Sequence, residues 1–200
     1  MLQNNEMRVL ERLVENLESE FTLSDMSKML KQKYSQTYRS IDVLLKRGIV
    51  KVKQVGKSKV IRLDFSRYHP EYAMAEIERL SKTIKNKDIS IVLNKTLKIN
   101  KQFICILFGS YASGRFKRDS DMDLLFIIPE GYEVNKFEKS AKNSLSVHNT
   151  DINVITEDNL FEMWAAPKKL NVGNELLKNH IVLIGAEHFI NLVRKRYAGR

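Results

Sequence analysis

The chain has 200 residues, a formal net charge of +10 and 43% hydrophobic residues, which suits one or two domains with a real core. No stretch reaches the ~18 consecutive apolar residues of a membrane span, and the single cysteine, Cys105, rules out an intrachain disulfide framework. The N-terminus "MLQNNEMRVLERL" is charged where a secretory leader is apolar, so a cytoplasmic protein is expected.

The excess charge is regional. Between Lys28 and Arg67, twelve lysines and arginines face only Asp42 and Asp64, and the rest of the chain is balanced. A local positive field of this kind is how a polyanion-binding module reads.

In chain order, Val9, Leu10, Leu13, Val14 and Leu17 fall on one helical stripe within residues 5–19. Thr22 or Ser24 is placed to cap a short second helix with Met26, Met29 and Leu30 facing inward. Ser35 or Thr37 is placed to cap a third, with Ile41, Leu44 and Leu45 inward and Gly48 as the stop. The alternating runs "IVKVKQV" and "SKVIRLDF" predict a hairpin around Gly56-Lys57.

Three helices and a basic hairpin over residues 5–68 resemble a winged helix-turn-helix. That resemblance implies double-stranded DNA as partner, with the third helix in the major groove and the wing on the backbone. Ser35, Gln36, Thr37, Tyr38 and Arg39 lie near the start of that helix, where side chains reach base edges; Gln36 suits adenine and Arg39 guanine. Lys53, Lys57 and Lys59 on the wing would hold phosphates without reading sequence. The alternative use of such a domain is dimerisation or protein contact.

Residues 69–99 read as a helical connection. Pro70 opens it, Ala73, Ile77, Leu80 and Ile84 make one apolar stripe, and Ile89, Val92, Leu93 and Leu97 make another. Lys85-Asn86-Lys87 is the expected break, and a homodimer through this segment is one expectation.

The chemistry lies in residues 100–200. "QFICILFG" predicts a buried strand ending at Gly109-Ser110, and "DLLFII" predicts a neighbour entered through Asp121-Met122-Asp123. Residues two apart on a strand share a face, so Asp121 and Asp123 point the same way. Two adjacent carboxylates repel unless a cation lies between them, and their hard oxygens suit Mg²⁺ or Mn²⁺. "TDINVIT" (150–156) is a further short strand with Asp151 at its start; beside the first pair it would bring a third carboxylate. Three converging carboxylates are what a two-metal phosphoryl-transfer centre requires. Glycine at 109 lets the backbone approach a triphosphate, and Ser110 can bind its oxygens.

"GS", ten residues, then "DMD", within "GSYASG…SDMDLL", resembles the signature of the minimal nucleotidyltransferases of the DNA polymerase β superfamily. The closing "NHIVLIGAEHFINLVRKR" is similar to that family's last strand, glycine and final helix, so the resemblance covers about residues 100–195. Ser113 departs from it, since many members carry arginine there.

The resemblance implies a small mixed sheet flanked by helices. It also implies a metal-dependent transfer of a nucleoside monophosphate, AMP from ATP in the first instance, to a hydroxyl. Asp121 and Asp123 would bind both metals, and Asp151 the catalytic one while helping to deprotonate the hydroxyl. Gly109 and Ser110 would hold the phosphates. Arg115, Lys117 and Arg118, in the loop before the aspartates, are placed to neutralise triphosphate charge. Some members act as antitoxins that adenylylate a tyrosine of a HEPN-type RNase toxin, so a toxin protein is one expected partner.

The fold class expected is α+β: a winged helix over 1–68, a helical connection over 69–99 and a nucleotidyltransferase domain over 100–200. Two other functions stay open: a transcription regulator whose second half only senses nucleotide, and an enzyme that adds nucleotides to RNA. Trp164 is expected to pack on the sheet. His148, His180 and His188 show no metal-ligand spacing, and the basic "VRKRYAGR" end is expected to fray.

Overall fold

The computed structural model describes residues 2–99, 101–117, 119–146, 149–167 and 169–198. Its fold is α+β, with two sheets and the helices around them.

The first part is a winged helix. Helix α1 (Asn4–Glu15) buries Val9, Leu10, Leu13 and Val14 on one side. A two-residue strand β1 (Phe21–Thr22) leads into α2 (Leu23–Leu30), where the Thr22 hydroxyl accepts from the Asp25 N–H at 3.1 Å. Strand β1 is too short to show alternation in sequence. Helix α3 (Tyr34–Lys46) starts from Lys33, two residues before Ser35 and four before Thr37, the expected caps. Strands β2 (Val50–Val55) and β3 (Ser58–Leu63) form the hairpin, closed by Gly56 (φ +57°) and Lys57. Glycine at the first central position suits a two-residue hairpin turn. Strand β1 pairs with β3 on its far side, giving the order β1-β3-β2.

Two inward expectations fail here. Met29 and Leu45 are exposed, because the buried faces run through Met26, Ser27 and Leu30 on α2 and through Thr37, Ser40, Ile41 and Leu44 on α3.

Helix α4 (Pro70–Thr83) begins at Pro70 and gives way to α5 (Lys87–Thr96) at the predicted break. Only part of its apolar stripe is buried: Ala73 is enclosed and Leu80 half-buried against a core, while Ile77 is 57% exposed. Tyr72, Ala75, Glu76 and Arg79 are buried as well. Helix α4 packs against α1 on one side and against the second half of the chain on the other. The contact includes an enclosed polar cluster. The Glu76 carboxylate accepts from Arg79 at 2.7 Å and lies 3.0 Å from His180 Nε2, and Arg79 also donates to the His180 carbonyl. Partners inside the cluster are what make such burial tolerable.

The second part is a four-stranded mixed sheet with order β6-β5-β4-β7. Strand β4 (Ile104–Phe108) runs antiparallel to β5 (Met122–Ile128) and to β7 (Ile181–Ile184), while β5 is parallel to β6 (Thr150–Thr156). The parallel pair needs a crossover, and helix α7 (Val134–Leu145) supplies it. A single turn of helix, α6 (Gly109–Ala112), follows β4; α8 (Glu157–Ala165) and α9 (Val172–Leu176) follow β6, and α10 (Ala186–Ala198) closes the chain.

Alternation along the strands builds two cores. Cys105, Leu107, Leu124, Phe126 and Ile128 meet Phe137 and Leu145 of α7 and Ile89 and Val92 of α5. Ile104, Ile106, Leu125, Ile127 and Val182 face the other way, into a core that also holds Val9, Leu13, Ile61, Tyr72, Trp164, Phe189 and Val193. That second core therefore runs without a break from the winged helix into the sheet.

Polar contacts follow the same seam. The Leu17 amide donates to the Leu177 carbonyl at 2.8 Å, Arg196 donates to Glu18 at 2.7 Å, and the Phe65 and Tyr197 rings stack 4.9 Å apart. The basic end is thus helical through Ala198, with Arg196 buried rather than frayed. Trp164 packs as expected and donates to the Gly173 carbonyl at 2.7 Å. No helix among the described residues is long and apolar enough to cross a membrane.

Candidate functional site

The carboxylates gather at one end of the four-stranded sheet. Asp123 is the second residue of β5, and Asp121 lies just before that strand. The parallel register sets Asp123 directly beside Asp151 of β6, so the two side chains leave the sheet on the same face. On its other side Asp123 pairs with Phe108, the residue before Gly109.

Gly109 has φ +66°, and a Cβ there would overlap the Asp123 carboxylate, with Cγ only 2.9 Å away. Glycine is required both by the backbone and by this close approach. The Ser110 amide faces the same carboxylate. Ser113, at the position of the missing arginine, donates its hydroxyl to the carbonyls of Gly109 (3.1 Å) and Ser110 (3.0 Å) and so closes the turn α6.

Burial, then the nearby charges of Asp151 and Asp121, push the Asp123 carboxyl above the ordinary carboxylate range. Three acidic groups share one field, and none of them is in an ion pair among the described residues. The donors are all hard oxygens, the chemistry that suits a divalent cation. As placed, no three His, Cys, Asp or Glu side chains among the described residues converge closely enough to hold a metal ion.

Arg115 and Lys117 are exposed on the loop between α6 and β5, and Arg118 lies outside the described residues, as does His148. The Arg115 amide donates to the Ser110 carbonyl at 2.9 Å, which ties the loop back to α6. Sequence reasoning missed the aromatic pair beside it. The Tyr111 and Phe116 rings lie parallel, with centroids 4.2 Å apart and 5° between planes. Two aromatics five residues apart, the second inside the charged run 115–119, were the available signal. His188 pairs with Glu157 at 3.0 Å, and His180 pairs with Glu76 through Nε2, while its Nδ1 is buried without a hydrogen-bond partner.

On the winged helix, Ser35, Gln36, Tyr38 and Arg39 are exposed on α3. Thr37 is not: it is fully buried, with its hydroxyl 3.5 Å from the Gln32 side-chain oxygen, so it faces the core rather than an outer partner. The Lys59 ammonium sits over the Tyr38 ring at 5.0 Å, which links the wing to the helix. Lys46, Arg47, Lys51 and Arg62 are paired with Asp42, Glu71, Asp64 and Glu20. Lys28, Lys31, Lys33, Arg39, Lys53, Lys57, Lys59 and Arg67 have no ion-pair partner among the described residues, so the unneutralised charge spreads from the end of α2 and the start of α3 to the wing and the segment after it.

Residues 89–175 match the family model described as "Nucleotidyltransferase domain". No curated protein matches the chain. Among solved structures, "Reduced HlyU from Vibrio cholerae N16961" is similar at 19% identity, over 38% of this chain and 73% of that one, with a TM-score of 0.32, too low to carry an inference. The family match contains Gly109, Ser110 and all three aspartates; it supports a nucleotidyltransferase domain over that stretch, and with it nucleotidyl transfer as the general chemistry of the carboxylate site.

Proposed function

We propose that the chain is a DNA-binding nucleotidyltransferase that moves AMP from ATP onto a hydroxyl of a protein acceptor. The observation that carries this reading is the meeting of Asp123 with Gly109 on one side and Asp151 on the other, within a stretch matched by the nucleotidyltransferase model.

Asp121, Asp123 and Asp151 are the residues that would hold Mg²⁺ or Mn²⁺. A divalent cation there supplies the positive charge that three unpaired carboxylates and a triphosphate need in order to approach one another. Gly109 and Ser110 shape the turn on which the phosphates rest, and Arg115, Lys117 and Arg118 add positive charge at its rim. The acceptor oxygen attacks the α-phosphorus, the bond to the β-phosphate breaks, and pyrophosphate leaves. Asp151 takes the proton of the hydroxyl.

Ser35, Gln36, Tyr38 and Arg39 read duplex DNA, and Lys53, Lys57 and Lys59 hold its backbone. An antitoxin-type regulator that binds its own operon and modifies a HEPN-type toxin fits both halves.

The test uses ATP labelled at the α-phosphate, Mg²⁺, and lysate of the source organism as a pool of acceptors. Label is expected on a protein band, and none with the Asp121→Ala/Asp123→Ala double variant. Label on RNA would make this an RNA-modifying enzyme. Identical results for wild type and variant with every nucleoside triphosphate would remove the transferase reading and leave a nucleotide-sensing regulator.

A further inference from the structure

We propose that the Tyr111–Phe116 stack is the platform on which the base of the nucleoside triphosphate lies, with a purine preferred over a pyrimidine. This inference rests on the nucleotidyltransferase reading of the carboxylate site and adds to it the group that recognises the base.

The two rings have different supports. Tyr111 is half-buried in α6 and packs against the core formed with α5 and α7. Phe116 belongs to neither core; it is 39% exposed and stacks on the half-buried Tyr111. The parallel arrangement is a layered one, with a third flat ring able to continue it on the outer face of Phe116.

Position makes the stack more than a stray surface phenylalanine. Tyr111 is the second residue after Gly109, whose Cα lies against the Asp123 carboxylate, and α6 packs directly on β5. The rings therefore stand beside the catalytic carboxylates. The loop carrying Phe116 is pinned at both ends, by the Arg115 amide on the Ser110 carbonyl (2.9 Å) and by the Lys117 amide on the Ser120 hydroxyl (2.8 Å). Arg115 and Lys117 flank Phe116 with positive charge. A flat apolar face between two cations, next to a turn that can take phosphates, matches the two halves of a nucleotide. A purine offers more stacking area than a pyrimidine, and base–aromatic stacking is strong enough to set affinity.

The experiment is calorimetric titration of the whole protein, in Mg²⁺, with ATP, CTP and inorganic triphosphate, which has no base. Wild type is compared with Phe116→Ala and Phe116→Trp. Expected are tighter binding of ATP than of CTP, a loss of about tenfold or more in ATP affinity for Phe116→Ala, near-wild-type affinity for Phe116→Trp, and unchanged binding of inorganic triphosphate throughout. Equal weakening of ATP and inorganic triphosphate by Phe116→Ala would show that the ring only supports the loop and would overturn the proposal. ATP binding indifferent to Phe116→Ala would overturn it as well, with the nucleotidyltransferase reading intact. A wild-type protein that binds neither ATP nor inorganic triphosphate would bring down that reading, and this inference with it.

Discussion

His180 Nε2 and the Glu76 carboxylate lie 3.0 Å apart, both fully enclosed, and Arg79 closes the cluster from the same helix turn as Glu76. Burial acts to raise the Glu76 pKa, but Arg79 and His180 outweigh it and hold the carboxyl below its ordinary value of 4.5. Removing that charge leaves Arg79 buried without its counter-ion. Glu76→Gln is expected to cost about 3–5 kcal/mol in urea unfolding at neutral pH. A folded-state pKa below the unfolded value means the contribution is complete above the unfolded value and is lost as pH falls through the folded one. The variant should therefore show less acid sensitivity than wild type below about pH 4.5.

Asp123 has the opposite sign. Its folded pKa is raised, first by burial and then by Asp151 and Asp121, so its ionised form costs stability at neutral pH. That cost disappears as pH falls through the folded pKa towards the ordinary value. Asp123→Asn should abolish nucleotidyl transfer yet slightly raise the melting temperature of the metal-free protein at neutral pH, the gain being kept small because solvent screens a carboxyl this exposed. The gain should vanish in acid. Thermal scans of both proteins across pH check this, and a lower melting temperature for the variant would contradict the electrostatic account.

Gly109→Ala tests the close approach on which the site is built. The new methyl must displace the Asp123 carboxylate and adopt φ +66°. The expected cost is about 1–3 kcal/mol in stability and on the order of a hundredfold in transfer. Gly114, whose added Cβ would meet nothing within 4 Å and whose φ is +67°, is the control: Gly114→Ala carries the backbone strain without the displaced carboxylate.

Binding of duplex DNA should divide the basic residues. Lys53→Ala, Lys57→Ala and Lys59→Ala should each weaken binding across all sequences and lower the salt slope by about 1. Arg39→Ala should cost about 1–3 kcal/mol and relax preference at one base pair. Thr37→Ala should leave affinity unchanged and lower stability instead, because Thr37 is buried. Fluorescence anisotropy at several salt concentrations separates the three classes.

Much of this was legible in the amino-acid string. The Gly-Ser turn, the Asp-x-Asp entry to β5 and the start of β6 are local patterns, and spacing alone put Asp121 and Asp123 on one face. The parallel pairing that sets Asp151 beside Asp123 was an assumption until the register was known. Tertiary packing decided the rest. Helix α4 shows Ile77 to solvent and buries Glu76 and Arg79, because His180, about a hundred residues away, completes their cluster; no periodicity within α4 carries that information. Thr37 was misread for a related reason. Its residue type and place near a helix start suit an exposed role, yet the helix begins at Tyr34 and turns residue 37 inward. The Tyr111–Phe116 stack depends on a loop doubling back over α6, which composition does not encode.

The unbroken core has a consequence for anyone who tries to divide this protein. A cut after residue 68 parts Phe65 from Tyr197, strips the Leu177 carbonyl from the Leu17 amide and lays open the flank of α1 that α4 covers. Such a fragment should be sticky and dye-binding rather than a tidy DNA reader. In the intact chain the same weld keeps α3 at a constant bearing to the three aspartates. On the proposed reading of α3 as the duplex-binding helix, an acceptor held at the DNA would always meet the carboxylates from one direction.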